Sequence, residues 1–314
     1  MHQPPTMSHG LPSRERAQPL VCLVVLNWNG YADTHECLCS LGELTYPHRH
    51  IIVVDNASSD DSPVKLQAQH PEIELVRCSE NLGIAAGYNR GIQKALAHGA
   101  DYIVVMNNDL IVDPQVVDRM IEAQQAWPNC GIVMPKILYY DARDTIWSAG
   151  AYARWMPSNI VMRGKNRKDG PAYAETKPIE YAPSCCLLLT RELCQRLMFD
   201  EQYFFYYDDW DFCLQARKLG QRIVFAAHAY VWHKVSRSTL NSPKSQRWWE
   251  VLGRSCARYH RKHHSLGLLA TYVSWVALRE TIKGNLRSIP TFLRGVWTGL
   301  HLQTAAEARM GWRD

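Results

Sequence analysis

Four short apolar runs rich in β-branched residues occupy the first third of the chain. They cover residues 21–26, 51–54, 73–76 and 102–106, and stretches with a helical spacing of apolar residues separate them. This alternation indicates βαβ units, whose crossovers are right-handed. The pattern therefore predicts an α/β fold with a mainly parallel central sheet flanked by helices.

Asparagine and aspartate residues follow three of these four runs. The first run ends in NWNG at residues 27–30, the second in DN at 55–56, and the fourth in NND at 107–109. Parallel strands bring their carboxyl ends to one edge of the sheet, where α/β proteins bind ligands. Turn formation would explain any one cluster, but three at one edge predict a ligand site. Their oxygen atoms suit a hard divalent cation and the phosphates that it bridges.

Three glycines, Gly83, Gly87 and Gly91, are spaced by four residues after the third run. On a helix this spacing places them on one face, which permits close approach to the sheet or to a ligand. The GxGxxG pattern of a dinucleotide fold belongs in the first strand–helix turn, and residues 27–30 do not supply it. A dehydrogenase is therefore disfavoured.

A second chemical centre lies at residues 203–213, where five aromatic residues precede three carboxylates, Asp208, Asp209 and Asp211. Like charges beside an apolar wall raise the pKa of at least one carboxyl group, and such a group suits a general base. Helix capping with solvated carboxylates is the alternative explanation. After the predicted helix, an extended return brings His233 back beside Asp209, either as a ligand or as a structural histidine.

The rest of the body predicts further regular structure and one covering loop. A helix follows residue 113 and ends near residue 127. The polar, basic stretch at 156–178 predicts a loop over the site. Candidates for lining an acceptor pocket are Trp155, Arg163 and Trp210. Further strands are predicted near residues 131–140, 146–153, 179–190, 223–225 and 229–232.

The basic residues are concentrated in the C-terminal quarter of the chain. Residues 234–314 hold 14 Lys/Arg and 4 Asp/Glu, a net charge of +10, so the remainder carries −5. This asymmetry predicts an anionic partner, either a membrane surface or a phosphorylated acceptor. Nucleic acid is disfavoured because no nucleic-acid-binding module is recognisable.

Tryptophans and basic residues alternate at residues 244–264, and an apolar run follows at 266–278. That run is too short to span a bilayer. The segment therefore predicts basic helices that make peripheral contact with an anionic membrane. A helical appendage packed on the domain, or a homodimer contact, is the alternative.

The ten cysteines show no CxxC pair and no regular spacing. Cys37/Cys39 and Cys185/Cys186 lie in apolar segments, where free cysteine behaves as a small hydrophobic residue, so a zinc site built from the cysteines is disfavoured. The proline-rich residues 1–19 predict a disordered leader and lack the features of a signal peptide. Reduced thiols in the cytoplasm are therefore expected.

Six motifs in a fixed order give the chain a family resemblance. They are VVLNWNG, VVDNASSDDS, NLGIAAGYNRG, VVMNNDLIVDP, FFYYDDWDFCLQARKLG and VWH. Over about residues 20–265 the chain resembles the family 2 glycosyltransferases of the GT-A fold, especially the bacterial rhamnosyltransferase-like branch. The resemblance implies a leader at 1–19, a Rossmann-like GT-A catalytic domain at 20–240, and a basic helical C-terminal extension at 241–314.

The resemblance also implies roles for individual residues. Asp209 would be the catalytic base, and Asp109 with His233 would hold Mn²⁺ or Mg²⁺ against the diphosphate. Asp208 and Trp210 would lie near the acceptor. The first position of the metal motif is Asn107 rather than Asp, which leaves Asp109 as its only carboxylate. The implied nucleotide-sugar-binding residues are Leu26, Asn27, Asn29, Asp55, Asn81, Gly87, Asn89, Asn107 and Asn108.

The function implied is metal-dependent, inverting transfer of a sugar from a nucleotide-sugar donor to a hydroxyl group. Resemblance alone suggests rhamnose, from a dTDP- or UDP-sugar, and a glycan or lipid-linked acceptor in cell-surface polysaccharide synthesis. The enzyme would be cytoplasmic, in peripheral contact with the cytoplasmic face of the inner membrane. A catalytically inactive sugar-nucleotide-binding or assembly subunit is one alternative. A nucleotidyltransferase is another, but it would need a Gly- and Lys/Arg-rich loop after the first strand.

Overall fold

The computed structural model describes residues 18–154, 160–235 and 246–301. The predicted leader lies outside these ranges except for its last two residues, and Trp155 also lies outside them. The described strands are β1 (Val21–Asn27), β2 (Arg49–Asp55), β3 (Glu74–Arg77), β4 (Tyr102–Asn107), β5 (Leu110–Val112), β6 (Cys130–Tyr139), β7 (Thr145–Ser148), β8 (Ala151–Ala153), β9 (Ile160–Met162), β10 (Arg167–Lys168), β11 (Lys177–Ile179), β12 (Cys186–Thr190) and β13 (Arg222–His233). The described helices are α1 (Tyr31–Gly42), α2 (Ser62–Gln69), α3 (Gly83–Ala97), α4 (Val116–Gln125), α5 (Arg191–Arg196), α6 (Asp208–Lys218), α7 (Gln246–His263), α8 (Leu266–Ile282) and α9 (Ser288–His301).

The central sheet begins with four parallel strands in the order β3-β2-β1-β4. The apolar residues of β1 and β4 are buried in the middle of the sheet, as their continuous hydrophobic runs require. In the register of these strands Asn27 lies opposite Asp55, and Leu26 lies opposite Asn107. The predicted parallel sheet is confirmed, and the three polar clusters meet at one edge of it.

The sheet continues through β12, which is antiparallel to both β4 and β6. β6 therefore runs in the direction of β4, and β13 lies parallel to β6. At the end of β13, His233 pairs with Leu110 of β5, a three-residue strand directly after Asp109. This pairing brings His233 to the same polar edge as Asp109.

Four predicted segments differ from the structure. Residues 146–153, predicted as one strand, contain most of β7 and all of β8, which belong to different sheets. Residues 179–190, predicted as one strand, contain the end of β11 and all of β12, and the stretch around Pro183 between them is irregular because proline cannot donate a ladder hydrogen bond. The predicted loop at 156–178 contains β9, β10, a short 3-10 turn and part of β11. The two segments predicted at 223–225 and 229–232 form one strand, β13, whose register against β6 shifts in its middle.

Two of the spaced glycines bring α3 very close to the sheet. A Cβ atom at Gly91 would lie 2.1 Å from Val24 Cγ1, and one at Gly87 would lie 2.6 Å from Leu26 Cδ1. A larger residue at either position would force the helix away from β1, because protein interiors are close-packed. The close approach expected from the glycine spacing is therefore an approach to the sheet.

The predicted C-terminal helices are present, and they pack on the segment that precedes α6. A Cβ atom at Gly253, Gly295 or Gly299 would lie 2.0–2.3 Å from a backbone oxygen of the facing helix, so α7 and α9 are in backbone contact. Tyr203 and Tyr207, just before α6, share a buried cluster with residues of α7, α8 and α9. Among the described residues, no helix is both long enough and apolar enough to cross a membrane.

Candidate active site

The loops after β1 and β2 are held together by buried polar side chains. The Asn27 amide donates hydrogen bonds to Asp55 Oδ1 at 2.9 Å and to Ser62 Oγ at 3.1 Å. Asn29 adopts a left-handed backbone conformation, and its Oδ1 accepts from the backbone N–H of Ser59 at 2.7 Å. Asn27 and Asp55 are almost completely buried, so they shape these two loops from within.

The loop before α3 is tied to the same edge by Asn56, a residue that sequence reasoning did not select. The Asn56 amide donates to Asn81 Oδ1 at 2.9 Å and to the Gly83 carbonyl at 3.1 Å. Its Oδ1 accepts from the backbone N–H of Leu82 at 2.9 Å. Asn56 directly follows Asp55 at the end of β2, so a strand-end position was the signal that could have identified it.

The NND triplet after β4 presents three different side chains. Asn107 Oδ1 accepts a hydrogen bond from Tyr88 at 2.7 Å, and the Asn108 amide donates to Thr34 Oγ1 at 2.8 Å. Both amides are thereby oriented by neighbours on α3 and α1. Asp109 is the only carboxylate of the triplet, and it is the side chain of the three that can contact a ligand.

Asp109 lies beside His233, with 3.1 Å between Asp109 Oδ1 and His233 Nε2. Burial raises the pKa of the Asp109 carboxyl group, but the nearby imidazole outweighs burial and leaves the pKa below its ordinary value of 3.8. Two buried atoms of this pair, Asp109 Oδ1 and His233 Nδ1, have no hydrogen bond within accepted geometry. A buried anionic oxygen without a hydrogen bond, next to an imidazole ring, provides the donor types that fit a divalent cation such as Mn²⁺.

The second carboxylate centre begins α6. Tyr206 and Tyr207 both have φ near 65°, a left-handed conformation that turns the chain sharply into the helix. Asp208, the first residue of α6, is buried and accepts a hydrogen bond from Ser184 Oγ at 3.1 Å. Burial raises the pKa of Asp208 to about 6.

Asp209 follows Asp208 and is less deeply buried. Part of the residue is accessible, but dense packing around its carboxyl group and the neighbouring Asp208 charge raise its pKa well above the ordinary value of 3.8. Asp209 Oδ1 accepts a hydrogen bond from the backbone N–H of Trp210 at 2.8 Å. A carboxylate with a raised pKa and some accessibility can accept a proton from a bound hydroxyl group.

Two residues that sequence reasoning missed join the two centres. Tyr88 donates to Asn107 and also lies 3.1 Å from the Ser184 carbonyl. Ser184 in turn donates a hydrogen bond to Asp208. Tyr88 and Ser184 therefore connect the triplet at residues 107–109 to the carboxylate pair Asp208 and Asp209. Tyr88 belongs to the glycine-spaced helix motif, which was the available signal, whereas Ser184 carries no local signature in the sequence.

Asp211, the third carboxylate, is completely buried and faces the C-terminal helices. His263 Nε2 lies 2.6 Å from Asp211 Oδ1, and Lys262 Nζ lies 2.9 Å from Oδ2. Tyr203 and Gln215 also donate to it. Asp211 is therefore an anchor between α6 and α7 rather than the solvated group of the capping explanation.

Several residues that were predicted to contact the substrates make contacts within the protein in the structure. The Asn89 side chain is buried and exchanges hydrogen bonds with the backbone of Phe199 at 2.9 and 3.0 Å, and Gly87 contacts Leu26. These contacts place Asn89 and Gly87 behind the residues that form the polar edge of the central sheet. Trp210 is half-buried next to Asp209, whereas Arg163 stacks on Tyr173 and donates to a loop carbonyl.

Comparisons with known proteins found similar sequences. The family model described as "Glycosyl transferase family 2" matches residues 22–197, more than half of the chain. The chain is 28% identical over 275 residues to N-acetylglucosaminyl-diphospho-decaprenol L-rhamnosyltransferase of Mycobacterium tuberculosis, covering 79% of this chain and 84% of that protein. It is 25% identical over 216 residues to the low-salt glycan biosynthesis hexosyltransferase Agl10 of Haloferax volcanii, covering 66% of each.

Solved structures share the fold. GalNAc-T7, crystallised with UDP, GalNAc and Mn²⁺, matches with a TM-score of 0.58 at 12% identity, over 77% of this chain and 50% of that one. S. aureus TarS 1-349 in complex with UDP-GlcNAc matches with a TM-score of 0.57 at 14% identity, over 88% and 79%. The mannosyltransferase PcManGT from Pyrobaculum calidifontis, with GDP-Man and Mn²⁺, matches with 0.51 at 16% identity, over 91% and 88%. These similarities support the GT-A-type arrangement of sheet and helices.

Proposed function

Because this chain belongs to glycosyl transferase family 2, it is a glycosyltransferase, and we propose that it works by metal-dependent, inverting transfer. The observation that carries the proposal is the link between the two carboxylate centres. Asp109 and His233 lie at the sheet edge, Asp209 lies at the start of α6, and Tyr88 with Ser184 connects the two centres. A donor diphosphate at the first centre and an acceptor hydroxyl at the second would meet between them.

Each centre has a defined task in this proposal. Asp109 and His233 would hold a divalent cation, which neutralises the charge that develops on the leaving diphosphate. Asp209 accepts the proton of the acceptor hydroxyl while the oxygen attacks the anomeric carbon and the diphosphate departs from the opposite face. One base and one leaving-group site suffice for inversion in a single step. A retaining reaction through a covalent intermediate would need a nucleophilic carboxylate beside the anomeric carbon.

The proposed substrates follow the mycobacterial and archaeal relatives described above. The mycobacterial relative is named for rhamnosyl transfer to an N-acetylglucosaminyl-diphospho lipid, which supports a rhamnosyl or related hexosyl donor carried by dTDP or UDP. It also supports a lipid-diphosphate-linked acceptor used in polysaccharide synthesis. The exposed apolar side chains of α8 and α9 include Ile282 and Trp297, and the turn between the two helices carries the exposed basic residues Lys283 and Arg287. This surface supports the proposed peripheral contact with the cytoplasmic face of a membrane.

The test is a panel of dTDP-, UDP- and GDP-sugars, measured by calorimetry with and without Mn²⁺ and then assayed with lipid-diphosphate acceptors. We expect one donor class to bind in a metal-dependent manner. Asp209→Asn should retain donor binding and lose turnover by at least about a hundredfold, the lower range for a general base. NMR of the product should show an inverted anomeric configuration.

The matched control is Asp144→Asn, an exposed aspartate paired with Lys168. This variant should retain full activity. Donor binding without turnover in the unmodified protein, across all acceptors, would instead support the sugar-nucleotide-binding subunit. Full activity of Asp209→Asn would refute the assignment of the base.

A further inference from the structure

Helices α1 and α2 bring two histidines and one cysteine together outside the active site. His35 and Cys39 are four residues apart on α1 and therefore share a face of the helix. His70 directly follows α2. One donor atom from each of the three side chains lies within 4.8 Å of the other two. This is a compact N₂S donor set contributed by two separate elements.

The individual contacts show how closely the three side chains approach one another. His35 Nδ1 lies 2.9 Å from His70 Nε2, and Cys39 Sγ lies 3.8 Å from His35 Nε2. His70 is largely buried, and its other ring nitrogen, Nδ1, lies 3.4 Å from the Glu72 carboxylate. Metal-ligating histidines characteristically bind a carboxylate or carbonyl through their second nitrogen, which fixes the ring. Glu72 is placed for that role.

A second cluster, His50, Glu74 and His98, provides an internal contrast. Its donor atoms are equally close, but Glu74 is already paired with Lys94 at 2.7 Å and with both imidazoles at 2.6 and 3.0 Å. A cation entering that cluster would have to displace an ammonium group. We therefore regard it as an ion-pair network and use it as a control.

We propose that His35, Cys39 and His70 form a binding site for a borderline-soft divalent metal ion, Zn²⁺, distinct from the cation site at Asp109 and His233. Two imidazoles and one thiolate match zinc, whereas the active-site pair of carboxylate and imidazole also suits Mn²⁺. The sequence predicts that Cys39 behaves as a small hydrophobic residue, and this prediction is wrong, because of the ten cysteines, all within the described ranges, Cys39 alone is exposed. Solvent can therefore supply the fourth ligand.

The site would act as a clip between α1 and α2. The residues just before His35 on α1 serve the active site, since Thr34 accepts from Asn108 and Asp33 pairs with Lys234. A metal ion that joins α1 to α2 would steady these contacts without touching substrate. Binding forms Zn–N and Zn–S bonds and transfers the Cys39 thiol proton to the buffer, so affinity should rise with pH.

The experiment is a Co²⁺ titration of the full chain, because Co²⁺ replaces Zn²⁺ in such sites and reports thiolate ligation by a sulfur-to-metal charge-transfer band. We expect one equivalent of Co²⁺ to produce the band and Zn²⁺ to abolish it. Cys39→Ser should abolish the band, and this exposed position is tolerant of substitution. Glu72→Gln should weaken Zn²⁺ binding about tenfold, in the range for a carboxylate behind a ligating histidine.

Two controls separate this site from the others. His98→Gln should leave the band and the Zn²⁺ affinity unchanged, and Asp109→Asn should retain the band even though it disables the proposed catalytic metal site. Zn²⁺ should also slow maleimide labelling of Cys39 in the unmodified protein and in Asp109→Asn. A band that persists in Cys39→Ser, or labelling unaffected by Zn²⁺, would overturn the proposal. Neither readout depends on transferase activity.

Discussion

Replacing Asp211 with asparagine would remove one negative charge from the contact between α6 and α7 while preserving the shape of the side chain. The native carboxylate is completely buried and bonds to Lys262 and His263 of α7. The substitution would leave these two donors with a weaker, neutral partner. It therefore tests whether the C-terminal helices hold the catalytic helix in place.

The expected loss of stability can be bounded from the contacts. Breaking a buried ion pair by neutralising one partner costs about 3–5 kcal/mol. Lys262 is 27% exposed and retains Asp200 at 2.7 Å, whereas His263 is 3% exposed. Because Lys262, the ammonium partner of Asp211, is partly exposed and keeps a second carboxylate, we expect the lower end, about 3 kcal/mol.

Urea unfolding of Asp211→Asn, His263→Gln and the double variant would form a double-mutant cycle. We expect a coupling free energy of about 1–3 kcal/mol, the range for residues in one hydrogen-bond network. Turnover should fall with the donor dissociation constant nearly unchanged, because α6 carries Asp209 whereas the nucleotide edge belongs to the sheet. Asp144→Asn serves as the exposed control, with an effect within about 0.5 kcal/mol. A decrease in the free energy of unfolding below about 1 kcal/mol for Asp211→Asn, or zero coupling to His263, would refute the role of Asp211 as an anchor between α6 and α7.

Three further outcomes are expected. Gly91→Ala should lower the free energy of unfolding by about 1–3 kcal/mol through overpacking, whereas Gly42→Ala, with no atom within 4 Å of its new Cβ, should be neutral or slightly stabilising in the same urea assay. Activity should fall as the pH is lowered, because burial and the neighbouring Asp208 charge raise the pKa of Asp209 well above its ordinary value and protonation removes the base; Asp208→Asn should move this acid limb to lower pH, and an unmoved limb would contradict the charge effect. Asp109→Asn should abolish stimulation by Mn²⁺ in the transfer assay, and retained stimulation would exclude Asp109 as a ligand.

Local sequence patterns were sufficient to predict the four parallel strands of the central sheet. The four apolar runs each became a strand, because a buried strand with neighbours on both sides is apolar along its whole length. The strand ends then located the polar edge. β5 was not anticipated, since three residues after Asp109 are too few to show a period, and the antiparallel direction of β12 depends on partners distant in the chain.

The site was predictable where its residues sit in recognisable motifs, and less so where contacts are long-range. The helix start at Asp209 and the strand end at His233 followed from the local pattern, but the carboxylate that the structure places 3.1 Å from His233 is Asp109. Ser184 joins the site through a contact across 24 residues, which no local pattern reveals. Asn89 shows the reverse case, because a residue inside a matching motif turned out to bond to a backbone segment 110 positions away.

The anchoring of α6 by α7 also has a consequence for the order in which the enzyme matures on the ribosome. Asp211 and His263 are 52 positions apart in the chain. At a synthesis rate of about 5–20 residues per second, roughly 3–10 s separate the addition of these two residues. During that interval the nucleotide-binding sheet can fold while the catalytic helix still lacks its partner. If the proposed roles of these elements hold, we expect a nascent chain to gain donor affinity before it gains turnover.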